Sequence, residues 1–204
     1  MVGRPHDDDN PEARRRAQRG GGSSPDDSEL VRRAQRGDVR AYEQIVVRHQ
    51  QTAFRAAYIV TRNAADAQDA AQEAFVKAYA ALGRFDAERP LRPWLLAIVV
   101  NQARNRRRAE GRREHLATRA AARVSGEAAP SPETVAVRSA EAAALRDLVV
   151  GLPERDRTLI YLRYFLDLSE QETATALGVR LGTVKSRTAR ALARLRTATE
   201  ARDG

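Results

Sequence analysis

The segment SEQETATALGVRLGTVKSRTARALARLR, from Ser169 to Arg196, constrains the fold of this chain most tightly. It fits two helices joined by a tight turn. Ser169 is a good N-cap, and Glu172 three residues on completes a capping box. Ala174 and Leu177 offer a short apolar face, and Gly178 is suited to the left-handed conformation that ends a helix. A second helix is predicted from about Leu181, with Val184, Thr188, Ala191 and Leu195 on one stripe. Thr183, Arg187, Arg190 and Arg194 form the neighbouring stripe, and Lys185 and Ser186 lie near the helix start. Between Arg180 and Arg196 there are five Arg, one Lys and no acidic residue. This is the layout of a DNA-binding helix-turn-helix, whose second helix enters the major groove N-terminus first. The same pattern also fits an amphipathic hairpin whose Arg residues only solvate a surface. Motif and charge together favour DNA.

Composition points the same way. The 204 residues carry 36 Lys plus Arg against 27 Asp plus Glu, a net charge of +9 that suits an anionic partner. Only Lys77 and Lys185 are lysines, so nearly all of the positive charge is Arg, the residue suited to bidentate contact with phosphate and guanine. With no cysteine, disulfides, thiolate catalysis and Cys-ligated zinc are excluded. His6, His49 and His115 are isolated and make no metal spacing. No nucleophile–base pair, metal cluster or phosphate loop is found, so neither an enzyme nor a cofactor is expected. No apolar run reaches the roughly 18 residues of a membrane span, and the N-terminus lacks a signal-peptide core. A soluble, cytoplasmic protein is expected.

Read in order, residues 1–25 hold acidic, basic and glycine runs that cannot form a core, and a disordered tail is expected there. From Asp26 to about Arg108 the pattern is helical. Ser28 is placed to cap a short first helix. Tyr42, Ile45, Val46, His49, Ala53, Ala57 and Val60 trace the apolar face of the next, where His49 fits a core residue better than a ligand. Asn63 marks a turn before a helix from about Ala64 to Leu82, buried through Ala67, Ala71, Ala74, Ala78 and Leu82. A fourth helix begins near Pro93 and Trp94 and runs out into NQARNRRR. Residues 111–139 lack periodicity and read as a linker, whose ends would lie about 30 Å apart as a coil and approach ~100 Å when extended. Helical patterning returns from Ser139 to Val150, and Pro153 starts PERDRTLIYLRYFLD, read as one helix before the helix-turn-helix. No alternating strand pattern occurs. The expected fold is all-α, two small helical modules on a flexible tether.

These blocks resemble the sigma-70 family of bacterial transcription initiation factors in its small, two-domain extracytoplasmic-function (ECF) form. RRAQRGDVRAYEQIVVRH, NAADAQDAAQEAFVKAYAALGRF and PWLLAIVVNQARNRRR resemble sigma region 2 in order and spacing. GLPERDRTLIYLRYFLDLSEQETATALGV followed by GTVKSR resembles region 4. The resemblance implies a tail at 1–25, region 2 at 26–110, a linker at 111–139 and region 4 at 140–200. Thr173 departs from the branched apolar residue usual in the family at that place, and Arg180 from the usual Ser or Pro.

The resemblance further implies roles. Asp66, Asp69 and Glu73, at i, i+3 and i+7 with Gln72 beside them, would face core RNA polymerase; alternatively they only solvate the helix. The loop carrying Arg84, Phe85 and Asp86 would capture an unpaired base of the −10 element. Asn101, Arg104, Arg107 and Arg108 on the next helix, where Arg106 also lies, would read that element or clamp its phosphates. Phe85 and Trp94 suit base stacking, yet each fits a core anchor better, Trp94 because of the apolar run around it. Arg180, Thr183, Lys185, Ser186, Arg187 and Arg190 would contact the −35 element. Core polymerase, promoter DNA and an inhibitory anti-sigma protein are the implied partners. The alternatives are a stand-alone helix-turn-helix regulator and a non-specific basic DNA-binding protein.

Overall fold

The structure, a computed structural model, describes residues 26–120 and 147–203. The expected tail, most of the expected linker and the start of the helix expected from Ser139 lie outside the described residues. The described residues form seven named helices and no strand: α1 (Asp27–Gln35), α2 (Val39–Thr61), α3 (Ala64–Leu82), α4 (Leu91–Ala120), α5 (Glu154–Ile160), α6 (Glu170–Leu177) and α7 (Leu181–Asp203). A helical turn at 147–151 precedes α5, and a π-helical turn, Tyr161–Phe165, follows it.

Local chemistry sets the helix boundaries. α1 begins one residue before the expected cap: Asp26 is the N-cap, and Ser28 Oγ donates to its carboxylate at 2.9 Å. The acidic groups Asp27 and Glu29 in the first turn suit the positive end of the helix. Asp38 caps α2 by accepting from Ala41 N–H at 3.1 Å, and Asn63 caps α3 by accepting from Asp66 N–H at 3.1 Å. The predicted capping box on α6 is present: Glu172 N–H donates to Ser169 Oγ at 3.2 Å, and Ser169 N–H donates to Glu172 Oε2 at 2.7 Å. Gly178 then takes φ +64° and ends the helix.

Two elements differ from the expectation. α4 continues to Ala120 rather than ending near Arg108, because AEGRREHLATRA is rich in strong helix formers despite Gly111. The single helix expected after Pro153 breaks into α5 and the π-helical turn, where Leu166 N–H donates to Tyr161 O at 3.1 Å. Leu162 in that turn and Leu166 and Leu168 just after it are all buried.

In the first module, α2, α3 and α4 pack through small residues. Ala53, Ala57, Ala67, Ala71, Ala74 and Ala78 let the helices approach closely, and Leu95, Leu96, Val99 and Val100 of α4 fill the core. Tyr42 O–H donates to Phe75 O at 2.5 Å, and burial pushes the Tyr42 phenol up to about 12. His49 is buried with Nε2 2.8 Å from Asp27 Oδ2, a core contact as its place on the apolar face predicts. In the second module, Leu159, Leu162, Leu168, Val184 and Ala191 form the interior.

The modules meet along α4 and α6 and share one apolar cluster. Arg157, 5% exposed, spans the junction. Its Nε donates to Ile59 O of α2 at 3.0 Å, and its Nη1 donates to Val150 O at 3.1 Å and Leu152 O at 3.2 Å. Burial, and then the like charges of Arg62 and Arg107, lower its pKa from the ordinary value.

Thr173 is fully buried in α6, and its hydroxyl has no hydrogen-bond partner. Thr173→Val is therefore expected to stabilise the fold by about 1 kcal/mol, since it removes an unsatisfied buried polar atom at nearly constant volume. Thermal unfolding should show a midpoint raised by roughly 2–4 °C. An unchanged or lowered midpoint would contradict this account of the small helix-turn-helix core.

Candidate nucleic-acid interface

The helix-turn-helix turns its inner stripe into the second module: Val184, Ala191 and Leu195 of α7 are buried. The opposite surface carries the six predicted −35 residues together around the first turns. Arg180, Lys185, Ser186 and Arg190 are exposed, and Thr183 and Arg187 are half-buried beside them. No acidic residue lies in the first turn of α7, so its free N–H groups and positive end are available to an anion. Ser186 Oγ donates to Thr183 O at 3.3 Å and Arg190 Nε to Ser186 O at 3.2 Å, so both side chains currently fold back on their own helix. Arg194, on the stripe next to the core, is drawn off to Asp156 of α5 at 2.6 Å.

The loop between α3 and α4 is held from α1. Gln35 Nε2 donates to Leu82 O at 2.9 Å and Phe85 O at 2.7 Å, and Arg32 pairs with Glu88 at 2.7 Å. Arg84 and Asp86 point to solvent, with Asp86 Oδ1 accepting from Glu88 N–H at 3.0 Å. Phe85 is buried against Trp94, ring centroids 4.5 Å apart, within a small cluster of α1 and α2 residues with Leu82 and Leu91 at the ends of α3 and α4. Both aromatics are core anchors in this state.

On α4, Asn101, Arg107 and Arg108 are exposed and Arg104 is half-buried. Arg104 Nε and Arg107 Nη1 both reach Glu154 at the start of α5, at 3.4 and 2.7 Å. No local spacing signals this cross-module contact, because 50 residues separate Arg104 from Glu154. Arg108 instead lies 3.4 Å from Asn105 Oδ1 on its own helix.

Arg106 departs from its basic neighbours. Its guanidinium turns to α3, where Nε donates to Asp66 at 3.0 Å, Nη1 to Glu73 at 2.8 Å and Nη2 to Asp69. The hydrogen bond to Asp66 is the main cause that raises its pKa above the ordinary value. The predicted acidic face is thus assembled, with Gln72 exposed beside it. Among the described residues there is no His, Asp and Glu grouping able to hold a metal ion.

The sequence profile of Sigma-70 region 2 matches residues 45–113, and that of Sigma-70, region 4 matches residues 142–195. RNA polymerase sigma-H factor of Pseudomonas aeruginosa is 38% identical over 172 residues, 81% of this chain and 89% of the relative. The chain belongs to the sigma-70 family. ECF RNA polymerase sigma-E factor of Escherichia coli is 36% identical over 174 residues, 81% of this chain and 90% of that factor, which places this sigma factor in the ECF group. The solved structure of CnrH in complex with the cytosolic domain of CnrY superposes with a TM-score of 0.63 at 28% identity, covering 86% of this chain and 97% of CnrH. The protein is accordingly a transcription initiation factor that directs RNA polymerase to promoters. Its region 2 match spans most of α2 with α3 and the greater part of α4, and its region 4 match contains α5 and α6 with the greater part of α7.

Proposed function

We propose that this sigma factor delivers core polymerase through three surfaces held on its two modules. Asp66, Asp69, Gln72 and Glu73 of α3 dock on polymerase. The loop at Arg84, Phe85 and Asp86, with Asn101, Arg104, Arg107 and Arg108 of α4, engages the −10 element. Arg180, Thr183, Lys185, Ser186, Arg187 and Arg190 read the −35 element. The first two surfaces belong to a region 2 domain at 26–110 and the third to a region 4 domain at 140–200, with 111–139 between them and the tail at 1–25 outside both. The protein itself carries no catalytic step and works in the cytoplasm, where polymerase and promoters are.

The observation that carries this reading is the open first half of α7. Lys185, Ser186 and Arg190 stand exposed there, with Arg180 exposed just before the helix, while the inner stripe is buried. A helix so placed presents Arg and Lys to guanine edges and Ser and Thr to phosphate. CnrH was solved with the cytosolic domain of CnrY. For this chain an inhibitory partner that covers the same surfaces is proposed.

The test is Arg187→Ala in reconstituted holoenzyme. Loss of one base contact is expected to lower initiation at a −35-dependent promoter roughly tenfold, about 1.4 kcal/mol. A variant as active as the parent on a range of −35 sequences would remove Arg187 from the reading set.

A further inference from the structure

We propose that Arg106, braced by Gln102, is the positioning residue for polymerase docking: one guanidinium that sets the three carboxylates of α3 into a single array. The inference rests on the reading that this acidic face meets core polymerase.

Asp66, Asp69 and Glu73 lie on one side of α3, where three like charges repel. Arg106 answers all three, one nitrogen to each carboxylate: Nε to Asp66, Nη1 to Glu73 and Nη2 to Asp69. The rigid plane of arginine spreads its donors over three nitrogens and so reaches three separated carboxylates, whereas the three donors of a lysine radiate from one nitrogen on a flexible stem. Gln102, one helical turn earlier on α4 and 6% exposed, accepts from Lys77 Nζ at 2.8 Å and donates to Glu73 Oε2 at 2.9 Å. Glu73 therefore receives a donor on each oxygen.

The array is fixed from behind and open in front. The Arg106 side chain is 30% exposed, while those of Asp69 and Glu73 are 48% and 54% exposed. Their outer lone pairs stay in reach of a partner's cations. The three carboxylates and one guanidinium leave a net charge of −2, so the face keeps the sign that a basic surface recognises. The brace also ties two surfaces together. Gln102 and Arg106 occupy one side of α4, and Arg104 and Arg107 another, so the helix assigned to the −10 element holds the polymerase face in register.

Two simpler roles are separable from this one by sign. If Arg106 merely solvates the surface, its removal leaves polymerase binding unchanged, as exposed ion pairs contribute little. If it competes with polymerase for the carboxylates, its removal tightens binding, because the face becomes more negative. Positioning predicts weaker binding in spite of the added negative charge, since three freed carboxylates must be ordered on docking.

The experiment titrates sigma-free core RNA polymerase into fluorescently labelled full-length protein as wild type, Arg106→Gln, Arg106→Lys and Asp69→Arg, with circular dichroism on each. Arg106→Gln is expected to weaken binding about tenfold. Arg106→Lys, which keeps the charge but reaches fewer carboxylates, is expected to fall between that variant and wild type. Should Arg106→Gln lose helicity, Arg106→Lys decides. Wild-type or tighter binding by the folded Arg106 variants, with Asp69→Arg unable to bind, would overturn the positioning role and leave the docking face standing. Normal binding by Asp69→Arg would remove the docking face and the positioning role together.

Discussion

Core RNA polymerase is expected to bind the Asp69→Arg variant at least about a hundredfold more weakly than the parent. Asp69 sits in the middle of the acidic stripe, with nearly half of its side chain open to solvent. Reversing it puts a cation where a basic partner surface must approach, and like charges juxtaposed at an interface cost several kcal/mol. At 1.4 kcal/mol per factor of ten, a penalty of about 3 kcal/mol exceeds a hundredfold. The fold should survive. The substitution removes one of three ion pairs to Arg106, and an exposed pair is worth about 0–1 kcal/mol. Size exclusion with core polymerase and far-ultraviolet circular dichroism check the two halves together. A variant that co-elutes normally would show that another surface carries the docking.

Arg157→Ala is expected to destabilise the protein by about 2–4 kcal/mol, because three carbonyl groups lose their charged donor at a buried junction. Relief of the buried cation, whose pKa burial already lowers, offsets part of that loss. The bond from Arg157 to Ile59 O links residues 98 apart, so its removal acts on the contact between the modules as well as on α5. The apolar cluster and the pairs of Arg104 and Arg107 with Glu154 would then hold the modules together. Small-angle scattering should show a larger radius for the variant, and thermal unfolding a lower midpoint. An unchanged radius and midpoint would mean that the apolar contact suffices without the arginine.

Local signals in the chain proved most legible where a single residue type does the work. Ser169, Glu172 and Gly178 mark the ends of α6 because capping and left-handed backbone select those residues. The buried alanines of α3 follow from helical period alone. Boundaries governed by weaker preferences were less visible. Asp26 and Ser28 are both good caps two residues apart, and the chain uses the first. The π-helical turn at Tyr161–Phe165 leaves no mark in an apolar pattern that also fits a regular helix. Within the candidate surfaces, spacing placed Asp66, Asp69 and Glu73 together, and α7 gathers the six residues from Arg180 to Arg190 around its start. The partners of those groups stayed hidden. Arg106 sits in a run of arginines that sequence treats alike, and only helix phase and the nearness of α3 single it out. Glu154 and Arg157 act across the junction, through packing that no local window contains.

Mapping RNA 5′ ends would show whether the chain brings polymerase to promoters through region 2 and region 4 surfaces. Core polymerase would transcribe genomic fragments with and without the full-length protein. A discrete new set of start sites preceded by shared −10 and −35 elements is expected, absent with core polymerase alone and depleted at −35-dependent promoters when Arg187→Ala is used. Start sites indistinguishable from those of core polymerase alone, with a folded protein free of any inhibitor, would contradict that expectation.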